Sequence, residues 1–256
     1  MLKHLSLVLV LTLAVFNLGR ALVARAATIY VDPGVVDVDD TDGLCSLIEA
    51  IENANDTTDG QPHDDCDAGN PSGADTIVLA SNATYTLTVV HNTNDGSNGL
   101  PSITSEIIIN GNGSTIERSS GTSDNFRIFH VSSSGDLTLN DVTIQNGNSG
   151  QPGGGIYNAG TLELNNCTVT GNNTWSVGSG GIYNAGTLTL TNCTISGNNA
   201  DLHGGGIGND GTLTLDNCTI SGNNAGENGG GLYTSSPQVA LTNTTVNGNT
   251  AISGGG

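Results

Sequence analysis

The sequence predicts an all-β chain, a parallel β-helix of about 25-residue rungs closed at its N-terminal end by an amphipathic helix. Three observations point there. The block Gly155-Ile156-Tyr157-Asn158-Ala159-Gly160-Thr161-Leu162 recurs at 181–188 and 206–213, and a degenerate copy starts at Gly231-Leu232-Tyr233, in steps of 26, 25 and 25 residues. Within each copy the apolar residues alternate, as Leu188 and Leu190 do with Thr187, Thr189 and Thr191, so the runs read as strands with one buried face. The runs last three to five residues between Gly and Asn, and no helical period separates them, which excludes βαβ units.

Residues 1–26 read as a secretory signal: Lys3 and His4, an apolar stretch over 5–18, then Ala24-Arg25-Ala26 with small residues at the cleavage positions. The competing reading is an uncleaved anchor, set by Arg20 and Arg25 after the apolar run. Residues 27–75 form an acidic cap with 13 of the 24 acids and no Lys or Arg. Its segment 44–55 carries Leu44, Leu47, Ile48 and Ile51 at helical spacing, with Asp42 placed to cap the start. The β-helix then covers 76–256. Irregular strand signals lie at 76–79, 85–89, 107–109 and 126–131, a half-copy at 137–144, and regular repeats from about 137.

In register, the repeats stack Ile156/Ile182/Ile207/Leu232, Leu164/Leu190/Leu215/Leu241 and Val169/Ile195/Ile220/Val246 inward. Turn columns hold Asn166/Asn192/Asn217/Asn243 above Asp141, and Asn172/Asn198/Asn223/Asn249. Stacked Asn can pass amide hydrogen bonds along the axis, and Asn and Gly tolerate left-handed corners. The chain stops at Gly254-Gly255-Gly256, where a further repeat would begin, so the sequence reads as a solenoid cut short, with an open end suited to end-to-end self-association.

Composition narrows function. The chain has 38 Gly and 31 Asn, and only 5 Lys plus Arg. After residue 26 only Arg118 and Arg127 remain against 24 acids, a formal charge of −22. That field excludes nucleic-acid partners, keeps the chain off a membrane once the signal is removed, and attracts divalent cations.

Cys45-Ser46-Leu47-Ile48-Glu49-Ala50, followed by Ile51 and Ala54-Asn55, resembles the signature of the CSLREA domain of secreted bacterial proteins. Ala74-Asp75-Thr76-Ile77, Leu100-Pro101 and the Gly-Gly-Gly-Ile-Tyr-Asn runs fit the same proteins. The Gly-Gly-Gly-Ile and Ile-Ser-Gly-Asn blocks are also similar to repeats of polymorphic outer-membrane proteins and other autotransporter passengers. The resemblance implies a right-handed β-helix after the cap and a secreted or cell-surface location. Ile48 stands where the signature has Arg, so any ion pair of that Arg is absent.

Candidate chemistry is sparse. Cys45 and Cys66 suit a disulfide in an exported cap, worth roughly 3 kcal/mol by chain entropy, against two unpaired thiols as the alternative. Cys167, Cys193 and Cys218 form an inward column, read as packing thiols. Asp37, Asp39, Asp40 and Asp42, with Asp64, Asp65 and Asp67, offer hard oxygens to Ca²⁺ without the EF-hand spacing; no other cofactor is implied. Gly206 to Gly211 fits G-x-G-x-x-G, yet no helix follows it. Tyr157, Tyr183 and Tyr233 form an outward column with Trp175 nearby, residues able to stack on sugars. The expectation is an exported non-catalytic solenoid: a stalk, adhesin or display segment meeting a surface glycan or protein. The alternatives are a polysaccharide lyase or hydrolase, as many β-helices are, and a calcium-stabilised binding module.

Overall fold

The computed structural model describes residues 26–37, 42–58, 65–71, 73–176 and 178–256; the leader expected over 1–26 lies outside them up to Arg25. The described chain coils into about six stacked turns, with every strand-to-strand pairing parallel. Each regular rung runs through four short strands. In one rung these are Ile182–Asn184, Thr187–Thr191, Thr194–Ser196 and Asn199–Ala200. The first and last belong to separate five-stranded sheets, and the middle two to a thirteen-stranded sheet that bends around a corner.

The corners explain the Asn and Gly columns. Asn82, Asn112, Asp141, Asn166, Asn192, Asn217 and Asn243 all have φ between 48° and 55° or at 56°. They turn the chain between the two halves of the large sheet. Gly171, Gly197, Gly222 and Gly248 (φ 61° to 64°) make the next corner. Asn and Gly are the residues for which this left-handed conformation is least costly. Inside, the predicted stacks are buried: Ile156, Ile182 and Ile207 are fully covered, as are Leu164, Leu190, Leu215, Val169, Ile195 and Ile220. Each such side chain stabilises by about 1.5–3 kcal/mol. In the last rung Leu241 and Val246 are exposed.

Amide ladders tie the rungs together. Asn198 Oδ1 accepts from the backbone N–H and the Nδ2 of Asn172, each at 3.0 Å. Its Nδ2 donates to Val169 O (2.9 Å) and Asn223 Oδ1 (3.0 Å). All four hydrogen-bonding positions of this buried amide are therefore filled. A second buried ladder, Asn158 to Asn184 to Asn209, runs at 2.7 Å per step. The Asn166/Asn192/Asn217 ladder is exposed.

The cap helix covers Leu47–Asn55, and the structure corrects its start. Ser46, not Asp42, is the N-cap: Glu49 N–H donates to Ser46 Oγ (3.2 Å), and Ser46 N–H donates to Glu49 Oε2 (2.9 Å). This reciprocal capping box satisfies two terminal donors. Asp42 instead accepts from Leu44 N–H at 2.8 Å, in a turn before the helix. The helix packs on strands Asp75–Val78 and Glu106–Arg118, and a Cys45–Cys66 disulfide pins its start. Strand Thr28–Tyr30 pairs with Thr76 to Val78, so the cap is sewn into the first rung.

The two kinds of ladder should separate in mutagenesis. Asn198→Ala leaves the buried Asn172 N–H without its acceptor and removes the amide bonds to Val169 O and Asn223 Oδ1, so it should cost about 2–5 kcal/mol in urea unfolding. Asn192→Gly keeps the left-handed corner and loses only two exposed bonds, so it should stay within about 1 kcal/mol. Equal losses would show that the buried ladder is not special.

Candidate functional site

The repeats give way to irregular chain at one edge, and there the unusual side chains gather. Loop 92–98 folds beside Arg127, two residues before strand Phe129–Val131, and His130, at the middle of that strand. Arg127 is fully buried; its Nη2 donates to Asp95 O (3.0 Å), and its guanidinium carbon lies 4.9 Å from the centre of the Tyr157 ring. Nε and Nη1 have no hydrogen-bond partner among the described residues. Burial pulls the Arg127 guanidinium down to about 10, opposed by Tyr157 and Asp95, so it stays charged at neutral pH. Gly96 is required here: a Cβ would stand 2.5 Å from Arg127 Nη2 and 2.9 Å from Gln151 Cγ.

His130 lies between Ser102 and Asp95. Its Nδ1 is 2.8 Å from Ser102 Oγ, and its Nε2 is 3.4 Å from Asp95 Oδ2, an electrostatic contact rather than an aligned hydrogen bond. The residue types match a Ser-His-Asp triad, but the placement does not serve a nucleophile. Ser102 is 9 % exposed and also lies 3.3 Å from Asn92 Oδ1, while Asp95 is turned to solvent. The arrangement holds loop 92–98 on the solenoid. His130 also begins a ring column: His130 to Tyr157 and Tyr157 to Tyr183 are each 5.5 Å between centres. Gly208 interrupts the column before Tyr233, which stacks on His203 at 4.7 Å.

Beside this cluster is an open pocket of about 290 Å³ lined by Ser97, Asn125, Ser149, Gly150, Gln151 and Trp175. Trp175 is 54 % exposed and leans on Gly150, where a Cβ would stand 2.4 Å from Trp175 Cζ2. The lining is one indole face, two amides and two hydroxyls: an apolar platform with convergent donors and acceptors.

The other predicted residues fall elsewhere. Asp37 is exposed, and Asp42 Oδ1 and Asp65 Oδ2 already accept from Leu44 and Gly43 N–H groups (2.8 and 2.7 Å); Asp39, Asp40 and Asp64 lie outside the described residues. Among the described residues no three His, Cys, Asp or Glu side chains gather as a metal set. Cys167, Cys193 and Cys218 are buried free thiols. Cys193 Sγ lies 3.3 Å from both Leu164 O and Thr191 O, and its contact with the Cys167 thiol pushes it up to about 12. Sequence reasoning singled out Trp175 and the tyrosines, but it gave Arg127 and His130 no partners and passed over loop 92–98, because the groups that meet there come from segments distant in sequence. No protein-family model, curated protein or solved structure matches the chain.

Burial first, and then Arg127, hold the His130 imidazole below its ordinary value of 6.5, with Asp95 opposing. Unfolded, the ring takes up a proton near 6.5, so its contribution to stability is complete above that pH and is lost as pH falls through the lower folded value. Urea unfolding at pH 7.5 and 5.5 should show a smaller acid loss in His130→Asn than in the parent chain. Identical losses would remove His130 from the acid response.

Proposed function

We propose that the chain is an exported, non-catalytic β-solenoid, a surface stalk or adhesin segment that engages a neutral glycan at the Trp175 pocket. The observation that carries this reading is the half-exposed indole standing over a polar-lined pocket on a rigid stack of rungs. An aromatic face packs against the C–H face of a pyranose ring, while Asn125, Gln151, Ser97 and Ser149 offer hydrogen bonds to its hydroxyls. About 290 Å³ is at the small end of ligand sites, which suits one sugar ring. The formal charge of −22 after residue 26 disfavours polyanions and leaves uncharged glycans as the fitting class.

Export is supported by the leader pattern in residues 1–26 and by the cap disulfide, a bond of oxidising compartments. The non-catalytic reading is supported by the work the repeat acids already do. Glu163 accepts from Asn165 Nδ2 at 2.9 Å, and Asp210 accepts from Ser235 Oγ at 2.5 Å and from the Tyr183 hydroxyl. Glu163 is thus held within its own strand and Asp210 ties together the rungs on either side of it, and the two do not converge on a groove.

Trp175 is the sole tryptophan, so its emission reports this pocket alone. Titration with neutral tetrasaccharides of glucose, mannose and N-acetylglucosamine should give a saturable emission shift with at least one series, and oligogalacturonate should give none. Asn125→Ala should weaken the binding about tenfold, as loss of one hydrogen bond does. Silence from every neutral series would sink the glycan assignment, and release of new reducing ends would sink the non-catalytic one.

A further inference from the structure

We propose that hydrolysis of the Ala26–Ala27 peptide bond completes a buried ion pair, in which the α-ammonium freed at Ala27 locks onto the Asp75 carboxylate. The inference rests on the export reading only for the cleavage; the pair itself stands on geometry. Asp75 opens strand Asp75–Val78 at the floor of the solenoid and is fully buried. Ala27 N–H donates to its Oδ1 at 3.0 Å, and Asn70 N–H donates to its Oδ2 at 2.9 Å. Ala27 O accepts from Thr76 N–H at 2.9 Å, and the following strand Thr28–Tyr30 pairs in register with 76–78, so the Ala27 nitrogen is fixed against the carboxylate. The wall is tight on the far side: a Cβ at Gly69 would stand 2.9 Å from Asp75 Oδ2 and 2.0 Å from Asn53 O.

Among the described residues, no Lys or Arg answers this carboxylate. Two amide donors answer the carboxylate oxygens, but among the described residues the Lys and Arg side chains are only Arg118 and Arg127. Arg118 bonds to Asp124 O and Thr122 O, and Arg127 to Asp95 O. Burial accordingly pushes the Asp75 carboxyl up, against the two amide bonds. Cutting the bond supplies the missing charge. A leader peptidase adds water across the amide; the hydroxyl goes to the Ala26 carbonyl, which leaves as a carboxylate. The Ala27 nitrogen becomes an ammonium with two more protons than the amide carried. That nitrogen is already at hydrogen-bond distance, and a charged donor to a buried carboxylate is much stronger than a neutral one. The cleavage position follows from the same geometry, because a start one residue away moves the ammonium by about 3.8 Å along the chain.

The sequence offers a clean test. Residues 27–256 contain no Lys, so an amine acetylating reagent modifies the α-amino group alone. The chain 27–256 is released in vitro from a fusion, with no dependence on export. The acetylated form keeps its N–H but loses the charge, and it should melt about 3–8 °C below the free form. In Asp75→Asn, itself less stable, acetylation should change melting by less than 1 °C. Equal melting of free and acetylated chains, or the same loss in Asp75→Asn, overturns the ion pair. N-terminal sequencing of exported protein tests the other half: a start at Ala27 supports the processing site and any other start overturns it, whatever the melting shows.

Discussion

A solenoid of this kind stands on one requirement: each rung must return to the same place in 25 or 26 residues so that its buried amides meet their counterparts in the next. The Asn172/Asn198/Asn223/Asn249 column shows why register has so little tolerance. Asn198 fills both lone pairs and both protons, and three of those four bonds go to equivalent Asn residues one rung away. A slip of one residue would break the apolar stacks and strand these amides in the interior at the same time. Buried polar groups left unpaired cost more than the bonds gain when made, so the ladder acts as a check on register as well as a tie.

Register in turn depends on corners. A coil that must close quickly needs left-handed residues at fixed places, and the Asn column at 166, 192, 217 and 243 and the Gly column at 171, 197, 222 and 248 supply them. The Gly triplets do a different job. Gly205 faces carbonyl oxygens of Asn224 and Gly230 at 2.4 Å from where its Cβ would lie, so neighbouring rungs approach more closely than any side chain permits. Glycine content here reflects both left-handed turns and backbone contact.

Much of this was legible because it repeats. The spacing of the blocks gave the rung, and the alternation gave the inward stacks. Where the signals were local and unrepeated, reading was weaker. Ser46-x-x-Glu49 is a capping box written in the sequence, yet the acid at Asp42 looked like the start of the helix; three residues of turn separate them. Gly111-Asn112-Gly113 reads as the end of a strand after Ile109, but the parallel ladder with 136–145 resumes past it, so the strand runs over Glu106–Arg118. The buried Asn158/Asn184/Asn209 ladder went unnoticed because those residues sit at strand ends, where Asn reads as the onset of a turn.

The same logic explains where the distinctive side chains are. A residue inside a stack is constrained by the identical positions above and below it, so a lone Arg, His or Trp there would disturb two neighbours. Such residues fit where the neighbouring rung does not repeat the position on both sides. Arg127 occupies an early irregular turn, His130 starts the ring column below Tyr157, Trp175 stands on a loop between rungs, and Asp75 sits in the first rung, over the cap strand Thr28–Tyr30 alone. These sites join segments distant in sequence, Asp95 to Arg127 and Ala27 to Asp75. No periodicity announces such pairings. The repeats thus build a regular scaffold whose chemistry is confined to its exceptions, and the residues that break the pattern are the ones to which function should be assigned first.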